Sequence, residues 1–371
     1  MTVFRKFEVC ASYESSVVKS PPSPSRKPLP AIIHRHYNKE NMDNNETGLN
    51  NITDTIETVI TGVPAPVRKN FIKAFGQLCT AAVDIPVAWL EGKSAEIRTT
   101  NEARLQIIRK EGNVLSEQIE VPKEYIAKAS SKFAAKVIKE QLNLDQITLN
   151  AATELSNNKQ IDSDNKESED ISEDWLNEFE NLARLKSSED MKLVFGKILS
   201  GEIIKPGSFS IKTIKLISQL DNQAAKLFQI FCSQSISMRA GQNILDGRVV
   251  SFTGNAASNS LTPFGLSFGA LNILQEYGLI ISDYNSYMIY SPCIANEQNQ
   301  VSAALHFQGK NYALVPSDRE KYDKDLKLSG VSLTKAGKEL LDIIPITNSD
   351  NYKEALVKYL ESKHLDIVEI K

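Results

Sequence analysis

The sequence is poor in the residues that build metal sites and disulfide frameworks. Its 371 residues include only four cysteines and four histidines. The cysteines lie far apart and no two have the Cys-x-x-Cys spacing, which excludes the usual signatures of a zinc site or a disulfide scaffold. Reduced cysteines are typical of the cytoplasm. We therefore expect a cytoplasmic protein that holds no metal and no other cofactor.

Long apolar runs are also lacking. No stretch reaches the roughly 20 apolar residues of a membrane-spanning helix, and the first residues lack the apolar core of a signal peptide. The most apolar segment, residues 74–90, contains Asp84 and Pro86, and we interpret it as a buried hairpin. The alternative is a membrane-active effector that inserts residues 67–92, peripheral to the inner membrane.

Motifs of catalysis are missing as well. The sequence contains no G-x-S-x-G, no P-loop and no H-E-x-x-H motif, so we predict no catalytic residue. The net charge of −3 favours neither nucleic acid nor an anionic surface as a general partner. These absences indicate a non-enzymatic protein that acts through protein contacts or self-association and takes no small-molecule ligand.

The first part of the chain has the composition of a disordered tail. Five prolines lie within PPSPSRKPLP, residues 21–30, and proline cannot join a helix interior or a sheet ladder. We predict disorder over residues 1–50. A second start at Met42 directly precedes the first apolar periodicity, so we also expect residues 1–41 to be non-native.

Two helical domains follow, with an acidic linker between them. Helical periodicity predicts one domain over residues 52–155 and another over residues 174–240. Residues 156–173 have no apolar periodicity and an excess of acidic side chains, which keeps such a segment extended. A seam of residues at coiled-coil spacing in the first domain indicates self-association; it comprises Ile97, Asn101, Leu105, Ile108, Gly112, Leu115 and Ile119.

The helix that follows Pro122 is amphipathic. Phe133 and Val137 lie on its apolar face. The opposite face carries Lys128, Lys132, Lys136 and Lys139. We interpret this lysine stripe as a solvated face; the alternative is a surface that meets phosphates or an anionic membrane.

In residues 241–371 the pattern changes from helices alone to helices and strands, which predicts a winged-helix-like α+β module. A helix ended by Gly278 is followed by a hairpin turning at Tyr284-Asn285, a second hairpin turning at Gly309-Lys310, and a helix capped by Thr334. The expected fold class is thus mainly α: a helical N-terminal region, a central helical domain and this module.

A winged helix suggests a transcriptional regulator, but the charge pattern argues against DNA. Residues 263–292 contain no arginine and no lysine, whereas phosphate anchoring depends on these side chains. DNA binding therefore stays a minor alternative, with Asn272 and Gln275 as the base-contacting candidates.

The best candidate cluster is the turn GEIIKPGSFS, residues 201–210. It groups Glu202, Lys205, Pro206, Gly207, Ser208, Phe209 and Ser210 between two helices. An active-site interpretation is open. The structural alternative is that Gly201 ends one helix, Pro206-Gly207 turns the chain, Phe209 fills the core and Ser210 caps the next helix.

Two stretches resemble a bacterial family of unknown function. They are TGVPAPVRKNFIKAFGQLCTAAVDIPVAWLEGKSAEIR, residues 61–98, and SEDMKLVFGKILSGEIIKPGSFSIKTIKLISQLDNQAAKLF, residues 188–228. The second stretch is also similar to the core segment of the abortive-infection alpha proteins, which act in phage exclusion. The resemblance covers most of residues 52–345. Only the similarity of the second stretch to the abortive-infection alpha proteins implies a role in phage defence.

Overall fold

The computed structural model describes residues 59, 61–79, 123–158, 169–241 and 243–370, all within one unit of the chain that spans residues 48–371. Its helices are Ala65–Leu78 (α1), Lys123–Asn157 (α2), Glu173–Ala183 (α3), Glu189–Ile204 (α4), Ile211–Gln219 (α5), Asn222–Gln234 (α6), Phe268–Glu276 (α7), Lys335–Leu341 (α8) and Asp350–Glu361 (α9). Its strands are Ile236–Ala240 (β1), Asn243–Val250 (β2), Tyr287–Ile289 (β3), Ala304–Phe307 (β4), Lys310–Pro316 (β5), Lys327–Ser332 (β6) and Leu365–Ile370 (β7).

Several predictions from the sequence concern residues outside this description. They are the tail over residues 1–50 with its start at Met42, the coiled-coil seam from Ile97 to Ile119, and residues 159–168 of the acidic linker. The second half of the apolar segment 74–90 lies outside it too.

The helices pack through one apolar face each. α2 lies along α4, and α1 contacts both of them. The close approach of α2 to α4 depends on Gly196, because a Cβ at this position would lie 2.6 Å from the Cβ of Asn150. The buried side chains of this region include Phe71, Phe75, Ile147, Ala151, Phe179 and Phe195.

The chain on the far side of the linker is held against α1. Asn70, which is buried, accepts a hydrogen bond from Ile171 N at 3.0 Å and donates to Glu169 O at 3.2 Å. Lys73 Nζ donates to Ile171 O at 2.7 Å. A buried amide is stable only when its polar groups are satisfied, so Asn70 fixes where the chain enters α3.

Short polar side chains cap the helix starts. The sequence pattern Ser187-x-x-Asp190 predicts a capping box for α4. This prediction is wrong by one residue, because Ser188 is the N-cap and accepts from Met191 N at 3.4 Å. The predicted cap of α5 is confirmed. The same bond to a backbone N–H is made by Ser172, Ser210, Asp221 and Ser267.

The C-terminal half is built on a seven-stranded sheet with the order β3-β6-β2-β1-β4-β5-β7. All its strand pairs are antiparallel. The expected fold class, mainly α with a small winged-helix-like module, is therefore wrong. β1 and β2 form the middle of the sheet, although β1 falls in the region that the sequence predicted as helical.

The two predicted hairpins had different outcomes. β4 and β5 do form a hairpin, with Gln308 and Gly309 at positive φ in its turn, one residue earlier than predicted. The hairpin at Tyr284-Asn285 is wrong, since both of its arms pair with the segment around β6. Ile280 bridges Leu333, and Tyr287 pairs with Ser329. The alternation of apolar and polar residues fits a hairpin at Tyr284-Asn285 and the observed pairing with the segment around β6 equally well.

A buried ion pair stabilises the sheet centre. Asp246 and Arg248, on the same face of β2, are both almost fully buried, and Arg248 Nε donates to Asp246 Oδ2 at 2.5 Å. Tyr290 donates its hydroxyl to the same oxygen at 2.8 Å, and Arg248 also reaches Leu328 O at 2.8 Å. The pair links β2, β6 and the residue after β3.

Candidate functional site

The predicted turn is organised by one buried carboxylate. α4 continues to Ile204, so the expected helix end at Gly201 is wrong. Glu202 Oε1 accepts from Gly207 N at 2.7 Å, and its Oε2 accepts from Phe209 N at 2.9 Å. Gly207 has a φ of +84°, which only glycine adopts without strain. The Glu202 side chain therefore closes the turn.

Burial shifts the acidity of this carboxyl. Desolvation raises the pKa of Glu202 above its ordinary value, and the negative charge of Glu339 raises it further. The hydrogen bonds from the backbone of residues 207–209 act in the opposite direction and lower it. The net effect is a raised pKa of Glu202, because the buried carboxylate loses its water shell.

A second carboxylate reaches the turn from α8. Glu339 Oε2 accepts from Ser210 N at 2.9 Å, from Ser210 Oγ at 3.1 Å and from Thr213 Oγ1 at 2.5 Å. The other oxygen lies 3.6 Å from Lys335 Nζ. A negative charge at the first turn of a helix is stabilised by the helix dipole. Glu339 thus joins α5 to α8 in the C-terminal half.

Phe209 anchors the turn in the helical core. Its side chain is buried, and its carbonyl accepts a hydrogen bond from Trp175 Nε1 at 2.7 Å. A Cβ on Gly201 would lie 2.7 Å from the ring of Phe209. The glycine therefore provides the space for the ring. The expected role of Phe209 as a core residue is confirmed.

The hydrogen bonds of Glu202 and Glu339 hold the structure of the turn together. Both carboxylates accept hydrogen bonds, and the hydroxyls of Ser210 and Thr213 both donate to Glu339. Across the described residues, no three His, Cys, Asp or Glu side chains are grouped as metal ligands. Lys205 is exposed, and Ser208 Oγ donates to Lys205 O at 2.6 Å. Whether this turn has a further role stays a prediction.

Sequence reasoning missed Glu339. It lies 129 residues beyond Ser210, in a short helix whose own pattern indicates an exposed charged face. Its only local signal is Lys335 at the i−4 position, which is ordinary on a helix surface.

The lysine stripe lies on an extension of α2. We call residues 124–142 the arm. Each side chain from residue 131 to residue 139 is exposed, including the lysines at 132, 136 and 139, and Lys128 is exposed too. Lys136 lies 3.6 Å from Glu140 within the same helix. The lysines therefore face solvent, and what they bind stays a prediction.

The arm also exposes large apolar side chains. Phe133 is 60 %, Ile138 60 % and Leu142 61 % exposed, and Val137 is 46 % exposed. Phe133 and Val137 continue the face that, about two to four turns beyond Val137 along α2, is buried as Leu144, Ile147 and Ala151. An apolar helix face that is covered at one end and open at the other is typical of an interaction surface.

The candidate DNA-binding helix is α7. Asn272 and Gln275 line an open cleft of about 370 Å³ together with Phe268, Asp283 and Tyr284. Tyr284 donates its hydroxyl to Asn272 Oδ1 at 2.9 Å. Among the described residues, no lysine or arginine lines this cleft. It therefore lacks the cations that anchor phosphates, and DNA binding through α7 stays a prediction.

The proposed membrane segment starts inside the core. Val67, Phe71 and Phe75 of α1 are buried against α2 and α4. Residues 80–92 lie outside the described residues. In the part of the chain that the structure describes, no helix combines the length and the apolar character needed to cross a bilayer.

Comparison with known proteins identifies the family. Residues 127–357 match the family described as "Protein of unknown function (DUF2806)". The match covers more than half of the chain. This protein belongs to that family. No curated protein and no solved structure matches the chain. The matched region runs from the arm to α9 and includes the turn, the cleft and the whole of the sheet except β7.

Proposed function

We propose that this protein acts without catalysis, through a protein contact made by the arm, and that it serves in defence against phage. The observation that carries the proposal is the exposure of Phe133, Val137, Ile138 and Leu142 on one helix. The phage-defence setting is supported by the resemblance of residues 188–228 to the abortive-infection alpha proteins.

The energy available on the arm suits a stable contact. A fully buried Phe, Val, Ile or Leu side chain contributes about 1.5–3 kcal/mol. The four arm residues are already partly covered, so we assign about 1 kcal/mol to each. Ile138 and Leu142 lie about 140° around the helix from Phe133 and Val137, so these contributions add up only in a partner that encloses the arm. Such a partner would gain roughly 4 kcal/mol, or about a thousandfold in Kd.

The arm fits this function better than residues 67–92 fit membrane insertion. Insertion would require α1 to leave the core, which would expose Phe71 and Phe75. The arm presents its apolar side chains without any such change. An anionic membrane surface remains the second candidate, because the exposed lysines lie beside the apolar face.

A photo-crosslinking experiment tests the contact. A photoreactive amino acid replaces Ile138 on the arm, and the control carries it at Leu193 on α4, which is 50 % exposed. We expect protein adducts from position 138 in a bacterial host during phage infection and none from position 193. Adducts with lipid alone would favour the membrane surface, and no adducts at position 138 would refute the proposal.

A functional assay accompanies it. Phe133→Asp should abolish protection in a plaque assay, whereas Leu193→Asp should preserve it. Circular dichroism checks that both variants fold, as expected for exposed positions. Equal protection by the two variants would contradict a role for the arm.

A further inference from the structure

β3 lies at an edge of the sheet. It pairs only with β6 in the strand order of the described residues. Gly330 N donates to Ser286 O at 2.9 Å, and Tyr290 N donates to Leu326 O at 2.8 Å. In an antiparallel pair, successive residues direct their backbone groups alternately toward and away from the partner strand. The N–H and C=O groups of Tyr287 and Ile289 therefore face away from β6.

The side chains at this edge are apolar and exposed. Tyr287 is 57 % and Ile289 41 % exposed, and Ile281, which precedes the strand, is 43 % exposed. The opposite edge differs, since β7 carries Asp366 and Glu369, and charged residues protect an edge from pairing with other chains. The β3 edge lacks an acidic side chain within the strand and has Lys327 stacked on the Tyr287 ring.

The chain just before β3 lines a preformed cleft. Residues 282–285 form one wall of the cleft that α7 closes on the other side, and Tyr287 begins β3 two residues later. Tyr284 is held by its bond to Asn272 and by an edge-on contact with the Phe268 ring at 6.0 Å. Asn272 Oδ1 is occupied by Tyr284, which leaves its N–H₂ group available as a donor.

We propose that the β3 edge and this cleft form a docking site for an extended peptide of a partner protein. The peptide would add as a strand beside Tyr287 and Ile289, because outward backbone donors and acceptors are matched in spacing by another extended backbone. One of its uncharged side chains would enter the cleft, where Asn272 and Gln275 supply amide groups and Phe268 supplies an apolar wall. This site is separate from the arm and goes beyond the function proposed for it.

The residues that line the cleft restrict which peptide side chain can enter it. Among the residues that the structure describes, Asp283 is the only charged one that lines the cleft, so a carboxylate or a phosphate has no counterion there. An amide or hydroxyl side chain can pair with Asn272 and Gln275. A second copy of this chain is a poorer occupant, since pairing of two three-residue strands would leave the cleft empty.

The probe is a display library of random linear 12-residue peptides, selected on the full chain. We expect enriched peptides whose binding weakens about five- to tenfold in Ile289→Pro, because this change removes one outward donor. Proline is tolerated at an edge where the N–H faces solvent, and the residue before it is already extended. Ile289→Ala is the matched control that keeps the donor.

Hydrogen exchange on the wild type provides a second readout. The amide protons of Tyr287 and Ile289 should exchange quickly in the free protein and slowly with the peptide bound, while exchange in β7, at the opposite edge of the sheet, stays unchanged. This readout tests strand addition at β3 even if Ile289→Pro does not fold, because it uses the wild-type protein. Failure to enrich any peptide, enrichment without amide protection at β3, or edge-to-edge dimers in light scattering would overturn the proposal.

Discussion

Removal of the Glu339 carboxylate tests whether the turn is a joint between the two halves of the protein. Glu339 Oε2 accepts three hydrogen bonds from Ser210 and Thr213, and each bond to a charged acceptor contributes about 1.5–3 kcal/mol. In Glu339→Ala the two hydroxyls, which lie 2.9 Å apart, can bond to each other instead, and water reaches part of the vacated space. We therefore expect a loss of about 2–4 kcal/mol in the free energy of unfolding.

Urea unfolding measures this loss. Circular dichroism reports on the whole chain. With the second tryptophan removed by Trp89→Phe in every variant, the fluorescence of Trp175 reports on the turn, because its indole donates to Phe209 O. Glu354→Ala is the control. It removes an exposed glutamate from α9 and should change the free energy of unfolding by less than about 0.5 kcal/mol.

A double-mutant cycle separates the specific contact from general damage. Thr213→Val removes the hydroxyl and keeps the shape of the buried side chain. If the Glu339–Thr213 bond is the source of stability, the double variant should lose at least about 1 kcal/mol less than the sum of the single variants. Strict additivity, or a loss in Glu339→Ala no larger than in Glu354→Ala, would refute the reasoning.

Two further predictions concern other buried charges. Asp246→Ala should lower the free energy of unfolding by about 3–5 kcal/mol, because Arg248 then stays buried without its counterion. In urea unfolding, the double variant Asp246→Leu/Arg248→Met should recover much of this loss. A loss below about 1 kcal/mol for Asp246→Ala would contradict the prediction. Glu202 has a pKa raised above its ordinary 4.5, chiefly by burial. As the pH rises from 4.5 through the raised pKa, the unfolded chain releases its proton first, so the stability of the wild type relative to Glu202→Gln should fall. A relative stability that rises over this interval would show that the pKa is lowered instead.

Helices and their caps were largely predictable because their causes are local. A serine at the N-cap position and an apolar residue every third or fourth place act within one or two turns. The start of α5 at Ser210 and the core position of Phe209 were found in this way. The errors are also local in scale: the cap at Ser188 is displaced by one residue, and α4 passes Gly201 because the glycine makes room for a ring instead of ending the helix.

The sheet was predicted poorly because strand partners are not encoded by neighbouring residues. The strands of the β4–β5 hairpin are adjacent in sequence, and this hairpin was found. β1 pairs with β4, so Ile236 lies opposite Phe307. The residues around Ile236 carry no signal that its partner strand lies so far along the chain. A hairpin at Tyr284-Asn285 satisfies the same alternation as the observed pairing of both arms with β6.

The sequence by itself determined the helical segments, their caps, the turn at Pro206-Gly207 and the absence of known catalytic motifs, since each depends on residues within about ten positions of one another. Only the tertiary structure decided that Glu202 and Glu339 meet at the turn, that Asp246 and Arg248 are buried within the sheet, and that Phe133 is exposed while Ile147 is covered. Periodicity shows that a residue is apolar and on which face it lies. Whether that face is covered depends on elements distant in sequence, and these reach it only through the packing of the folded chain.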